Sequence, residues 1–580
     1  MNNSTYSIII SCVLLYFALT AALHRRFVRM SERKARLMGL LQCIVTVAVA
    51  VFGVMTALDI YLLFAFTAAA AVLLVIPVAG KKSEDADKCE KNSPDSAFLR
   101  VVSVICAAAL VILPLGLLLC GAFVYPAQYS ESYLGELPAK VRRLDSAGEG
   151  KVVVIGGSSV AFGLDSGLLS ELLERPVVNF GLYATLGTEV MIELAARSVK
   201  SGDIIVIAPE TDRQTMSDYF GAEAVLQAFD GEAGMLFRLP VRYTARLAGA
   251  FYPYAAGKLA AGSGYSHPAS GIYGAASFNE YGDICAPRPY NVMAGGVDGT
   301  RTVTLTPDIV SEDFISYLNS FAAYASARGA QVFFSFPPMN RAAVRAAEST
   351  AGDTEEARIS ADAVDYYAFF AEKLTFPVIT DPADCLMGCG YFYDTNFHLN
   401  DSGVRVNTAR LAADILRAMG STKGVTVELP PEPALPEPTA PVTGDDTDGD
   451  MFIYEEYGAG LAIAGTKEAA RSRTSLILPR SFEGKAVIAI KGGAFDGCTA
   501  LTEITVRDNI AQIMDGAFSG CPALRRVRLE FENADTVTVG EALLDGAPSG
   551  LYLYVSESAF PSFAGNYNWY EYSDRIKREK

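Results

Sequence analysis

The sequence predicts a chain in three parts: a bundle of four transmembrane helices, an α/β domain on a parallel sheet, and a C-terminal repeat solenoid. Three observations predict it. Four apolar stretches crowd the first 125 of 580 residues. Strand-like and helix-like segments alternate from about 151 to 420. A block beginning at Gly492 recurs at Asp515, after a proline-rich stretch.

The apolar stretches lie at about 6–23, 38–57, 60–79 and 99–125. A bilayer core takes roughly 20 apolar residues as a helix. The run from Leu37 to Gly80 holds two crossings joined by a turn near Asp59. The lead MNNSTYS carries no positive charge, which argues against a cleavable signal peptide. Arg25, Arg26, Arg29, Arg33, Lys34 and Arg36 follow the first stretch, and Lys81, Lys82, Lys88 and Lys91 follow the third. Basic loops stay in the cytoplasm. The expected location is therefore the cell membrane, multi-pass, with the N-terminus and the large C-terminal part extracellular. Two or three crossings with a buried hairpin is the alternative. The net charge of −17 disfavours nucleic acid as a partner. Ten cysteines include no CxxC pair, so no zinc ribbon or thioredoxin motif is expected, and no metal or cofactor.

In the middle region the expected strands are Lys151–Ile155, Pro176–Phe180, Asp203–Ala208, Gln331–Phe336 and Phe376–Thr380. The expected helices are Ser166–Glu174, Thr188–Lys200, Ser311–Arg328, Ala361–Lys373 and Ser402–Met419. Such alternation predicts a parallel sheet with helices on both faces. Residues 213 to 300, rich in Gly, Ala, Tyr and Phe, read as an insertion. Ligands bind such sheets at the carboxyl ends of the strands, where GGSS (156–159) ends the first one. It lacks the GxGxxG spacing, and no GKS or GKT follows, so a phosphate cradle is the weaker reading. A serine nucleophile needs a base, best a histidine, and the base needs a carboxylate. The chain has three histidines: His24, His267 and His398. Only His398 has a nearby carboxylate in a loop feeding a helix, Asp394 in YFYDTNFHLNDSG.

Three blocks carry a resemblance: VVVIGGSSVAFGLDS, VVNFGLYA and YDTNFHLNDSG. Together, over about 150–420, they resemble the SGNH (GDSL-like) hydrolase superfamily and its membrane-anchored relatives in cell-envelope acyl transfer. The resemblance implies a flavodoxin-like SGNH domain and a catalytic set of Ser158, Asp394 and His398. It implies an oxyanion hole from the Ser158 and Gly181 N–H groups, with Ser159 opening the helix. The sequence departs from the family at two points: VIAPETD offers Glu210 where the third block has asparagine, and the last block reads D-x-x-x-H rather than D-x-x-H.

Residues 430 to 450 read as an extended proline-rich, acidic spacer. Beyond it, Ala494, Phe495, Gly497, Cys498 and Leu501 recur as Ala517, Phe518, Gly520, Cys521 and Leu524, with a degenerate third copy, GEALLDGAPSGLYLYV. A unit this short cannot bury its own apolar face, so copies stack. These residues resemble leucine-rich repeats of the BspA type. Cys498 and Cys521 share one repeat position and read as buried thiols or a disulfide; Cys385 and Cys389 read as a bridge or as core residues.

The expected divisions are 1–125 membrane domain, 126–424 SGNH hydrolase-like domain with an insertion at about 213–300, 425–450 linker, and 451–580 leucine-rich repeats. The expected function is a membrane-anchored, outward-facing serine esterase or O-acyltransferase on an ester of a cell-envelope or surface polymer. The alternative is a catalytically degenerate surface adhesin. The expected partners are an acyl ester or envelope polysaccharide, a membrane acyl-donor protein, and a surface glycan or protein ligand for the repeats. Few contacts are expected across the linker.

Overall fold

The structure is a computed structural model. It describes residues 126–580 apart from 263–265, 267–271, 286–291, 294, 300, 348–349, 351, 353, 436–448, 541, 573–574 and 580. The described residues fall into two compact units. One runs over Tyr129–Thr244 and Ser266–Lys580; the other takes in the described residues up to Gln128 and from Ala245 to 262. In the smaller unit, Gln128 Nε2 donates to Lys258 O (3.1 Å) and Gly262 O (2.8 Å) at the end of the helix Thr244–Ala261.

The larger unit begins with helix α1 (Leu137–Ser146) and then winds a parallel sheet from β1 (Val152–Gly156), β2 (Val177–Gly181), β3 (Ile204–Ala208) and β4 (Gln331–Phe334). The order is β2-β1-β3-β4, parallel throughout. A single parallel bridge, Phe334 to Val378, is what forms of the last expected strand. The first three strands are buried along their whole length, the condition of a sheet covered on both faces. Helices α2 (Ser158–Ala161), α3 (Ser166–Leu173), α4 (Thr188–Ala196), α5 (Ala222–Ala228), α6 (Glu312–Ser326), α7 (Glu355–Lys373) and α8 (Asp401–Ala418) connect and cover them. Asp165, Ser311, Thr354 and Asn400 cap α3, α6, α7 and α8 through their side chains. At the end of the sheet away from Ser158, a buried ion pair joins Lys151 Nζ to Asp203 Oδ2 at 2.5 Å, and Lys151 Nζ also reaches Ser198 O.

The C-terminal residues form stacked coils. Five strands make one parallel sheet: β5 (Ser475–Ile477), β6 (Glu503–Arg507), β7 (Arg526–Glu530), β8 (Tyr552–Val555) and β9 (Ile576–Arg578). The register pairs Glu503 with Arg526, Arg526 with Tyr552, and Leu553 with Ile576. A second ladder runs through 460–466, 485–490, 512–513 and 538–539, edged by the antiparallel strand 452–457. The repeated residues Ala494, Phe495, Cys498 and Leu501 stack inside on Ala517, Phe518, Cys521 and Leu524. The rings of Phe495 and Phe518 lie 6.1 Å apart and nearly parallel. Gly497 and Gly520 turn at φ +84° and +69°, a conformation that glycine adopts freely. Both cysteines of the repeat are buried free thiols, and Cys385 and Cys389 are free as well. Trp569 is buried beside Phe563, and β9 adds a further rung to the sheet.

Two expectations need correction. The four-helix transmembrane bundle, with its multi-pass membrane location, is not supported: among the described residues no helix is long and apolar enough to cross a membrane. The four expected spans, all within 1–125, lie outside the described residues, as does His24. The expectation of an envelope substrate rested on that topology and goes no further. The second concerns the linker. Its described start is docked rather than free: Glu432 Oε1 accepts the Gly390 N–H at 2.9 Å, and Tyr391 donates to Pro430 O.

Phe495→Ala should remove a fully buried ring between two coils and cost about 3–5 kcal/mol, read as a lower urea midpoint. An unchanged midpoint would mean that the coils do not stack on this residue.

Candidate active site

Ser158 sits where β1 stops. The strand ends on two glycines because the neighbouring chains come too close for side chains. A Cβ at Gly156 would lie 2.4 Å from Ala208 O, and one at Gly157 would lie 2.7 Å from Glu210 Oε1. Gly157 is then the N-cap and Ser158 the first residue of α2. Ser158 is partly exposed, while Ser159 is fully buried with its Oγ unpartnered. Only the first can meet a substrate.

Asp394 and His398 are joined by a small hairpin rather than by a helix. Phe392 and Leu399 form an antiparallel bridge, and the Tyr393 N–H reaches His398 O at 2.8 Å. The turn between them brings Asp394 Oδ1 to 2.8 Å from His398 Nδ1, which is how a four-residue spacing closes the pair. His398 is 6% exposed. Its ring stacks on Phe162, centroids 4.1 Å apart and 6° from parallel. Phe162 is the C-cap of the helix that Ser158 opens. Tyr273, from the 213–300 insertion, donates to Asp394 Oδ2 and stands 3.3 Å from His398 Nδ1. Burial pushes the Tyr273 phenol well above its ordinary pKa, and the Asp394 carboxylate pushes it further, so Tyr273 stays a donor.

Ser158 Oγ donates to Glu210 Oε1 at 3.0 Å, and the same oxygen accepts the Ser159 N–H at 2.9 Å. Glu210 lies two residues beyond β3 and is buried. The Tyr133 phenol, raised first by burial, is raised further by both Glu210 and Asp394. The serine and histidine clusters meet at α2: Ser158 opens the helix, and Phe162, its C-cap, stacks on His398. The Gly181 N–H, expected to face the oxyanion, instead donates to its neighbour Asn179 Oδ1 at 3.0 Å. Asn179 Nδ2 is tied to Val160 O and Asp283 Oδ1, both within 2.9 Å, which fixes that amide in place. Asp283 also takes the Ser166 hydroxyl at 2.6 Å.

The structure thus brings Asp394 and His398 together beside Ser158's helix, gives Ser158 to Glu210, and occupies Gly181. Sequence reasoning noted Glu210 as a departure but did not pair it with Ser158. It missed Tyr273, Phe162 and Asn179; only Asn179, two residues before Gly181 in VVNFG, carried a local signal. His267 lies outside the described residues. Among the described residues no group of His, Cys, Asp and Glu is arranged to hold a metal ion.

Lys140 supports the site from below. Its buried Nζ donates to Gly282 O at 2.6 Å and lies 3.3 Å from Asn179 O. Burial pushes its pKa down to about 7 from 10.5. Between those values the unfolded chain holds a proton that the folded chain has released, so the Lys140 contribution to stability rises with pH. The urea midpoint of the wild type relative to Lys140→Met should therefore climb from pH 7 to pH 9. A difference flat in pH would mean that Lys140 stays charged in the fold.

No protein-family model matches the chain, and no curated protein matches it. The resemblance of residues 150–420 to SGNH hydrolases and acyltransferases thus gains no support from these comparisons. Among solved structures, the chain is similar to a leucine-rich repeat protein of T. pallidum, TpLRR, at 18% identity. The match covers 19% of this chain and 65% of that one, with a TM-score of 0.14. So slight a likeness carries no argument, and the coil architecture rests on the parallel ladders themselves.

Proposed function

We propose that the protein is a serine hydrolase that cleaves or transfers the acyl group of a carboxylic ester, with Ser158 as nucleophile and His398 as base. The observation that carries this reading is the Asp394–His398 pair, buried against Phe162 one helical turn along from Ser158.

Asp394 at Nδ1 keeps that nitrogen protonated and leaves Nε2 basic. Ser158 Oγ turns from Glu210 and bonds to the acyl carbon as Nε2 takes its proton. Asp394 stabilises the imidazolium, which returns the proton to the departing alkoxide. Water or a second hydroxyl then opens the acyl-enzyme by the same path in reverse. Tyr273 holds the far oxygen of Asp394 and so fixes the plane of the carboxylate.

One observation favours a second reading, a binding protein with a silent site. Glu210 sets an acceptor against the nucleophile and on the Ser159 N–H, whereas an oxyanion there needs donors. The two readings separate on a single substitution. Glu210→Gln keeps an acceptor for Ser158 and Ser159 and adds an amide donor.

Ser158→Ala should abolish covalent labelling by a fluorophosphonate, while Ser159→Ala keeps most of it. Loss in Ser159→Ala alone would name the wrong serine. Asp394→Asn should lower kcat on 4-nitrophenyl acetate by about 10⁴-fold. Glu210→Gln should raise the labelling rate by about 10-fold or more. Absence of labelling in both wild type and Glu210→Gln would leave the silent-site reading standing.

A further inference from the structure

The hairpin that carries Asp394 and His398 is tied to the repeat coils. Asn396, at its turn, is buried, and its side chain grips the backbone of Asp298 on both sides. Its Oδ1 accepts the Asp298 N–H at 2.9 Å, and its Nδ2 donates to Asp298 O at 2.7 Å and Arg301 O at 2.8 Å. Its own carbonyl accepts the Asn340 N–H at 2.9 Å. The Asp298 side chain then turns to the repeats, where Gln512 Nε2 donates to its Oδ1 at 3.1 Å. Gln512 Oε1 accepts the Gly299 N–H at 3.1 Å and lies against the Tyr457 hydroxyl, which is 3.0 Å from Val297 O. Asp298, Asn396 and Gln512 are all buried. A buried polar group that loses its partner costs about 1–3 kcal/mol. The relay can relax most cheaply by moving the loop, and the loop is where the base sits.

We infer that the repeat coils position the catalytic base: Gln512, through Asp298 and Asn396, holds the 391–400 hairpin in the geometry that His398 needs. This rests on the serine-ester reading and deepens it. Gln512, Asp298 and Asn396 are positioning residues. None of the bonds above joins them to the side chains of Ser158, Asp394 or His398, and they act through His398. The repeats, which contribute no histidine, are thereby part of the catalytic unit rather than a separate binding module. A base misplaced by about 1 Å loses on the order of 100-fold in rate.

The test uses the full chain with Gln512→Ala, Gln512→Glu, and the double variant Gln512→Glu with Asp298→Asn. The readouts are kcat and KM on 4-nitrophenyl acetate, the melting temperature, and amide hydrogen exchange of the peptide 391–400. In Gln512→Ala, kcat should fall about 10-fold or more with KM within about twofold, and exchange in 391–400 should quicken. Gln512→Glu sets two carboxylates together and should do the same or worse. The double variant returns a donor facing an acceptor with the roles exchanged, and should restore both kcat and slow exchange. A purely structural role would lower the melting temperature without this split between kcat and KM. If Gln512→Ala fails to fold, the swap decides: no recovery from Gln512→Glu to the double variant overturns the inference. Wild-type exchange in 391–400 of a folded Gln512→Ala also overturns it. A wild type that turns over no ester, with exchange still coupled to Gln512, would sink the serine-ester reading and the base-positioning role, leaving only the mechanical link.

Discussion

A buried asparagine holds the loop that carries Asp394 and His398. The segment between the Cys389–Tyr391 turn and α8 forms no extended strand or helix of its own, yet its His398 ring is buried and stacked on Phe162. The segment is held by side-chain-to-backbone hydrogen bonds. Asn396 grips Asp298 and Arg301, and Asn400 donates to Gly390 O at 2.7 Å while capping α8 through the Gly403 N–H. Each bond is made where water is excluded, so each is expensive to break, and together they substitute for the ladder that a regular strand would have provided. Helix α8 is anchored in turn, because Asn407 on it donates to Gly163 O just beyond the serine helix.

Three stretches far apart in sequence converge on this segment. Asp298 comes from the insertion, Asn340 from the short strand Met339–Asn340 after β4, and Glu432 from the start of the proline-rich stretch. Gln512 reaches the same point through Asp298. The proline-rich stretch thus begins as a docked strap, and the coils beyond it lean on the segment the strap holds. The coil that carries Gln512 is packed against the repeat's stacked rings and buried thiols, with its neighbour Ile513 in the same core.

Around Ser158 the electrostatics pull in two directions. The Asp394 carboxyl group lies 2.8 Å from His398 Nδ1, where it would stabilise positive charge on the imidazole in the proposed reaction. The Glu210 carboxyl group occupies the serine hydroxyl and the neighbouring N–H, where negative charge would develop in acyl transfer. The rings of Tyr133, Phe162 and Tyr273 cluster nearby, with centroids between 5.6 and 6.3 Å apart. In such an apolar setting each carboxyl group acts on its own neighbours more strongly than it would in water.

The sequence by itself located the pieces whose signal is local. The apolar runs ending in Gly156, Gly181 and Ala208 became β1, β2 and β3 within a residue of expectation, because a strand buried on both faces must be apolar throughout. The repeat was legible because stacking demands the same small and apolar residues at each turn. Asp394 and His398 could be read as a pair because a hairpin closes them locally. What paired with Ser158 was decided only by the tertiary structure. Glu210 reaches it from another strand, Tyr273 reaches Asp394 across 121 residues, and Gln512 reaches Asp298 across 214. The Gly181 N–H was lost to Asn179 because the insertion's Asp283 fixes that amide from outside. Hydrogen bonds of this kind depend on where two surfaces meet, and no spacing along the chain encodes that.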